Sequence, residues 1–333
     1  MGKFAGAIVV NKEKGYTSHD VVAILRRLLN EKAGHTGTLD PNATGVLPVC
    51  FGKATKFSEH FMSENKSYAA EVILGVATTT GDVTGDILLE NGSSQRAIYS
   101  SHLRFENTDA SRARSGSAHG INGENPLVRE LSLRQNLNLS RQDIEKTVDA
   151  FKGVYMQTPP MYSAIKMGGK KLYEMARSGQ TIERRLRPVG IFDIKIVDFF
   201  GNSFIINVDC SKGTYIRSLC TDIGEKLGAG ATMGELKRTR SGKFTLDGAF
   251  TIGQIRESEN KWGLVTPIER LLPYPFAELK PAGLGGAKNG NPVKLGNLSH
   301  IDAKSPKHWL QAEGKTIGLF SLKNDSLVCE VML

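Results

Sequence analysis

Residues 34–48 read Gly-His-Thr-Gly-Thr-Leu-Asp-Pro-Asn-Ala-Thr-Gly-Val-Leu-Pro, a run with neither helical nor alternating apolar periodicity and with Asp40 as its one carboxylate. Pro41 excludes the helical region for the Asp40 backbone, while Gly34, Gly37 and Gly45 supply conformations that other residues resist. A long structured loop is expected, one that presents a single carboxylate at a fixed angle. The same Asp-Pro pair is also an ordinary turn former. A third possibility, a glycine phosphate cradle, lacks both the P-loop and the dinucleotide spacing. Far along the chain, Ile216, Leu219, Cys220, Ile223 and Leu227 share one face of an expected helix. Arg217 is rotated about 100° from Ile216, so it can either point back at a site in front of a sheet or lie on the surface.

The elements that must hold these groups are legible in part. A short strand is expected at residues 7–10. Thr17-Ser18-His19-Asp20 offers N-cap candidates for a helix in which Val21, Ile24, Leu25, Leu28 and Leu29 recur at helical spacing. Arg26 and Arg27 fall off that stripe, as a solvated face or as phosphate contacts. Alternation returns at residues 68–74, where Val72 and Leu74 face away from Glu71, and again where Phe204, Ile206, Val208 and Cys210 alternate with Ile205, Asn207 and Asp209. Ser140 and Asp143 resemble a capping box ahead of Ile144, Val148 and Phe151, with Gly153 as the expected stop. Residues 93–138 are rich in Ser, Asn, Arg and Gly without a sustained period, and read as a mobile insertion. Beyond Thr245 come Pro267, Pro273, Pro275 and Pro281, then strand-like runs at 316–322 and 327–332 around Asn324-Asp325, which suggests a small all-β domain. No internal repeat is found.

Composition bounds the function classes. At 333 residues two domains are expected, and 40% hydrophobic with 23% charged residues is ordinary for a globular protein. No apolar stretch approaches the roughly 20 residues that cross a bilayer. The first ten residues hold one lysine and a very short apolar run, without the layout of a signal peptide, so a cytoplasmic location is expected. Cys50, Cys210, Cys220 and Cys329 are far apart, with no Cys-x-x-Cys pair and no matching histidine spacing, which argues against a zinc site or a disulfide framework. They read as small apolar side chains. With 43 Lys and Arg against 34 Asp and Glu, the net charge of +9 favours a polyanionic partner.

Four ordered runs carry a family resemblance. The first is Gly34-His35-Thr36-Gly37-Thr38-Leu39-Asp40-Pro41 with Ala43-Thr44-Gly45 and Leu47-Pro48. The second is Lys66-Ser67-Tyr68 with Leu74-Gly75 and Thr80-Gly81-Asp82. The third is Gln157-Thr158-Pro159-Pro160-Met161-Tyr162-Ser163-Ala164-Ile165-Lys166 with Gly169-Lys170-Lys171-Leu172-Tyr173. The last is Cys210-Ser211-Lys212-Gly213-Thr214-Tyr215-Ile216-Arg217 with Asp222-Ile223-Gly224-Glu225-Lys226-Leu227-Gly228. Together they resemble the motifs of bacterial tRNA pseudouridine-55 synthases, the TruB family, over most of residues 6–245.

What the resemblance implies can be set against chemistry. The reaction breaks the bond from ribose C1′ to N1, turns the base and rejoins it through C5, without redox change or hydrolysis, so neither cofactor nor metal is expected. Asp40 would be the nucleophile, because a carboxylate can attack or stabilise an oxocarbenium-like sugar carbon. Arg217 would keep that carboxylate ionised. Tyr68 would stack near the target base and move a proton. His35 would insert into the RNA loop in place of the extruded nucleotide. Lys12, Asp82, Tyr215 and Leu236 match positions lining the uridine pocket, though Lys12 could instead meet a phosphate. The implied substrate is the tRNA T-arm stem-loop, whose bases are reachable without melting a duplex. No obligate protein partner is implied, so a monomer is expected.

The implied fold class is α+β: a pseudouridine synthase catalytic domain with a mixed, mainly antiparallel sheet, over residues 1–250, then a connecting segment, 251–272, and a small C-terminal β-barrel (PUA-like) domain, 273–333. Residues 93–138 are longer than the family pattern expects, and Arg96, Arg104, Arg112, Arg114, Arg129 and Arg134 in them either reach RNA or are solvated. Two rivals stand beside the enzyme reading. A non-catalytic tRNA-binding or tRNA-folding protein would have no use for Asp40, Tyr68 and Arg217 together. A guide-RNA-dependent relative is disfavoured by the bacterial-type spacing around Asp40 and by the absence of long lysine-rich tails.

Overall fold

The computed structural model describes residues 5–88, 125, 127–163, 165–180 and 182–333. The strands of the N-terminal part are β1 (Gly6–Lys12), β2 (Ala33–His35), β3 (Thr44–Phe51) and β4 (Lys66–Leu74). The middle of the chain adds β5 (Gly153–Gln157), β6 (Lys166–Met167), β7 (Lys170–Lys171), β8 (Arg187–Phe200), β9 (Ser203–Cys210), β10 (Ala231–Ser241) and β11 (Phe244–Thr245). The remainder holds β12 (Thr266–Pro267), β13 (Phe276–Leu279), β14 (Val293–Lys294), β15 (Leu298–His300), β16 (Lys307–Ala312), β17 (Lys315–Lys323) and β18 (Ser326–Met332). The chain folds into two compact units, one of Met1–Asp40, Val46–Ser63 and Phe244–Leu333, the other of Pro41–Gly45 and Glu64–Lys243.

In the second unit β10, β4, β9, β8 and β5 are hydrogen-bonded neighbours in that order, each pair antiparallel. Thr44 and Gly45, which open β3, add to β10 in parallel opposite Lys237 and Arg238, so the sheet is mixed and mainly antiparallel. The alternation read from β9 is the observed burial: Phe204, Ile206, Val208 and Cys210 are buried while Asn207 is exposed. Each such side chain contributes about 1.5–3 kcal/mol on leaving water. The Ile216–Lys226 helix follows β9 and buries Ile216, Leu219, Cys220 and Ile223.

In the first unit β12, β1 and β3 lie side by side, and β2 pairs with β3 through Ala33↔Phe51, Gly34↔Cys50 and His35↔Val49. The Ser18–Leu29 helix starts at a complete capping box, in which the Thr17 hydroxyl accepts from the Asp20 amide and the Asp20 carboxylate accepts from Thr17. Its buried stripe is Val21, Leu25 and Leu29, and Arg26 and Arg27 are exposed, as a solvated face requires. The C-terminal strands form a nearly closed, barrel-like sheet in the order β14-β18-β17-β16-β13-β15, around Leu310, Phe320 and Leu327. Trp309 is buried against Phe57, and its indole N–H donates to the Leu272 carbonyl at 2.7 Å.

Three expectations are corrected. The loop expected over residues 34–48 is confined to 36–43, because β2 and β3 take its two ends. β3 is buried on both faces, so it carries no alternation, and Pro48 sits inside it with its carbonyl accepting from the Thr36 amide at 3.0 Å. The segment expected to be a mobile insertion contains a helix, Leu127–Arg134, whose Val128 packs with Ile73, Val76 and Val83. Arg129 there holds Glu71 through two bonds of 2.6 and 2.8 Å rather than standing as a solvated linker charge. Arg96, Arg104, Arg112 and Arg114 lie outside the described residues. Finally, the helix expected to stop at Gly153 ends at Asp149, and Gly153, at φ +99°, opens β5 instead. Among the described residues no helix is long and apolar enough to cross a membrane.

Candidate active site

The expected site residues divide between the units: Lys12, His35 and Asp40 in the first, Tyr68, Asp82, Tyr215, Arg217 and Leu236 in the second. Asp40 is half-buried in the 36–43 loop, outside any helix or strand. The residue before it is clamped by Ser18. The Leu39 amide donates to Ser18 Oγ at 2.8 Å, and the same hydroxyl donates to the Leu39 carbonyl at 3.0 Å, with both residues buried. His35 Nδ1 accepts from the Gly37 amide at 3.3 Å, and its ring meets His19 edge-on at 5.3 Å. Lys12 is buried, donating to the carbonyls of Glu13 at 3.0 Å and Tyr16 at 2.7 Å, so it does not stand exposed as a phosphate contact would.

On the far side of Asp40 the chain enters the second unit at Pro41. There Thr44 Oγ1 donates to the Leu236 carbonyl at 3.4 Å, and Gly45 lies opposite Arg238. Gly45 adopts φ +100°, and a Cβ on it would lie 2.2 Å from the Arg238 carbonyl oxygen, so both conformation and space demand glycine. Arg238 is in turn the antiparallel partner of Tyr68, and Leu236 that of Ala70. Strand pleating therefore puts Tyr68, Leu236 and Arg238 on one face. Leu236 and Arg238 are buried and Tyr68 is half-buried. Lys66, two residues before Tyr68 and buried on the same face, has its amine pushed down to about 8 by burial and then by the neighbouring Arg238 charge.

Asp82 hangs from the same strand: Met233 N–H donates to the Gly81 carbonyl and Val83 N–H to the Met233 carbonyl, both at 3.0 Å. Its Oδ1 accepts from Thr80 Oγ1 at 2.8 Å and the Thr84 amide at 2.9 Å. Arg217, only 5% exposed, lies across this turn. Its Nε is 3.8 Å from Asp82 Oδ2, and its two terminal nitrogens donate to the carbonyls of Thr80 at 3.1 Å and Tyr162 at 2.8 Å. A guanidinium so desolvated costs several kcal/mol unless its donors are matched, and these contacts fix its plane. Tyr215 is the N-cap of the Arg217 helix. The second unit thus holds the half-buried Tyr68, the buried Leu236 and a guanidinium fixed by Asp82, Thr80 and Tyr162. The face that carries Tyr68 also carries Lys66 and Arg238, both buried.

Sequence reasoning left several positioning residues without a role. Ser18 reads as one of several cap candidates and Gln157 as part of a motif, while Arg238 is not singled out. None has a local signal, because each acts on a segment distant in sequence. Burial pushes the thiols of Cys50 up to about 12 and Cys210 to about 11, as small core side chains. Among the described residues no group of three or more His, Cys, Asp and Glu could hold a metal ion.

The sequence matches the family described as TruB family pseudouridylate synthase (N terminal domain) over residues 26–126 and 124–216, and the tRNA pseudouridylate synthase B C-terminal domain over residues 217–272. It is similar to tRNA pseudouridine synthase B of Alkaliphilus oremlandii, at 42% identity over 83% of this chain and 77% of that protein. Against the protein of the same name from Cupriavidus metallidurans the identity is 38% over 97% and 92% of the two chains. Among solved structures, a chain of a Cbf5-Nop10-Gar1 complex superposes with a TM-score of 0.62 at 24% identity, covering 98% of this chain and 84% of that one, which supports the fold.

Proposed function

The chain belongs to the TruB family of pseudouridylate synthases and forms pseudouridine in tRNA, and from that premise we propose that its target is the T-loop uridine at position 55, with Asp40 as the nucleophile. The observation that carries this reading is the anchoring of the backbone that flanks Asp40, at Leu39 before it and at Gly45 five residues after it. Ser18 holds Leu39 from one side, and Gly45, in register with Arg238, holds the other. A carboxylate so placed is oriented before substrate arrives, which is the condition for attack without a large entropic cost. The Asp40 carboxylate attacks the uridine and is later released; the C1′–N1 bond breaks, a C1′–C5 bond forms, the C5 proton leaves and N1 takes up a proton. Atoms and electrons balance without an oxidant, a reductant or hydrolysis.

The remaining roles follow from chemistry and position. Tyr68 offers its ring to the extruded base, Leu236 closes the wall, and Arg217, braced by Asp82, stabilises negative charge at the reacting centre. Tyr215 and Lys12 are assigned to uridine binding, and His35 to filling the gap the base leaves in the RNA loop. The segments 1–250, 251–272 and 273–333 are taken as catalytic, connecting and PUA-like RNA-touching parts. The enzyme would act as a monomer in the cytoplasm on the T-arm, drawn to it by the +9 charge.

An unmodified tRNA transcript tests the position directly. Treatment with the protein, followed by mapping of pseudouridine along the strand, should show one modified site in the T loop, and replacing that uridine by cytidine should abolish all product. Modification elsewhere at undiminished yield would overturn the assignment, and tight binding with no product on either transcript would leave a tRNA-binding protein.

A further inference from the structure

Gln157, 1% exposed at the end of β5, spends its side-chain amide on the backbone of another element. Its Oε1 accepts from the Tyr215 amide at 2.8 Å and its Nε2 donates to the Tyr215 carbonyl at 3.1 Å, so one side chain matches both polar groups of the helix N-cap residue. The same Nε2 donates to the Tyr155 hydroxyl. Tyr155 and Asp222, the latter two turns along the helix that Tyr215 begins, line one concavity, and each bears on the other's titration. Gln157 thus ties the N-cap residue to Tyr155, which shares that concavity with Asp222 of the same helix. Two neighbouring contacts tighten the same junction: Ser218 Oγ donates to the Thr158 carbonyl at 2.8 Å, and Arg217 donates to the Tyr162 carbonyl at 2.8 Å.

We propose that Gln157, Tyr155 and Asp222 are positioning residues for the reaction, a polar relay that sets the Tyr215 backbone and thereby the placement of Arg217 against the target uridine. This rests on the reading above in which Tyr215 and Arg217 face that uridine. The Tyr215 side chain does not cap its own helix, so the direction in which the first turn leaves β9 depends on groups supplied by β5. A small misplacement at such a point is felt in the chemistry far more than in binding.

The relay also has an opening to protons. Asp222 lies in a concavity with Phe151, Tyr155, Met156, Glu225 and Lys226. Burial, and then the Glu225 charge, raise its carboxyl to about 6, while Tyr155 opposes them. The groups around it are Tyr155 from β5, Cys220, Glu225 and Lys226 from its own helix, and Phe151, whose ring lies under Lys226 Nζ at 5.2 Å. Burial holds the Tyr155 phenol well above its ordinary range, so it remains a donor. Above about pH 6 the Asp222 carboxylate is a charged acceptor available to the Tyr155 hydroxyl. Below it the carboxyl is neutral and a weaker acceptor, and the acid's own proton competes with Gln157 for the Tyr155 oxygen.

Steady-state kcat and KM on unmodified tRNA transcript, from about pH 5 to pH 8, would be compared for the wild type, Tyr155→Phe, Asp222→Asn and the double variant, with Tm for each. Tyr155→Phe keeps the ring and should lower kcat about tenfold with KM within about twofold. The wild type should lose kcat on the acid side of about pH 6, and Asp222→Asn should flatten that limb. The double variant should be no worse than the more damaged single, since the two residues act through one relay. Wild-type kcat and acid limb in both singles would overturn the proposal, as would losses that track Tm alone at every pH. Should Tyr155→Phe fail to fold, Asp222→Asn decides by its pH profile. Asp40→Asn in parallel separates this from the reading beneath it: turnover retained there removes the nucleophile assignment, whereas its loss beside a normal Tyr155→Phe removes only the relay.

Discussion

Asp40 depends on a residue with no chemistry of its own. Ser18 bonds both backbone groups of Leu39 inside a buried contact, so Ser18→Ala leaves an N–H and a C=O there without those bonds. The cost should be about 1–3 kcal/mol, read by urea unfolding, and kcat should fall while tRNA affinity holds. An unchanged kcat would mean that the Leu39 clamp does not set the carboxylate. At this scale the sequence singled out candidate residues but not what steadies them. Asp40 stands out because its loop is aperiodic and glycine-rich, and Arg217 because it leaves the apolar stripe of its helix. The burial of Arg217 was not legible, since its carbonyl partners, Thr80 and Tyr162, and its ion-pair partner Asp82 come from turns remote in sequence. Ser18 and Gln157 were hidden for the same reason.

Elements with one buried face announced themselves, and elements without one did not. β9 alternates because only one side is in the core, and the Ser18–Leu29 helix shows both its cap and its stripe. β3 is buried throughout and contains Pro48, so it read as loop, and the Leu127–Arg134 helix spans too few turns to establish a period. The junction where β3 meets β10 is the most demanding of these elements. At Gly45 an alanine would meet the Arg238 carbonyl at 2.2 Å in a backbone region that L residues avoid. Gly45→Ala should therefore destabilise the protein by more than about 2 kcal/mol, lowering the denaturant midpoint, and should reduce kcat in the fraction that remains folded. A variant as stable as the wild type would show that the start of β3 can leave β10 without consequence.

For the molecule as a whole, composition indicated a globular, basic chain with a polyanionic partner, and the family resemblance supplied the α+β catalytic sheet and the barrel-like C-terminal sheet. Pattern along a chain cannot show which distant segments pack into one compact unit, because it registers only neighbours in sequence. The joining of residues 46–63 to residues 244–333 around Phe57, Phe61, Phe244 and Trp309 is of this kind. The proposed chemistry nonetheless depends on one carboxylate, and tritium release from C5-labelled uridine in a T-loop transcript probes it. The wild-type protein should release tritium as the C5 proton leaves, while Asp40→Asn should bind the transcript within about threefold and release none above background. Near-normal release by Asp40→Asn would contradict the account and require a different group to act on the uridine.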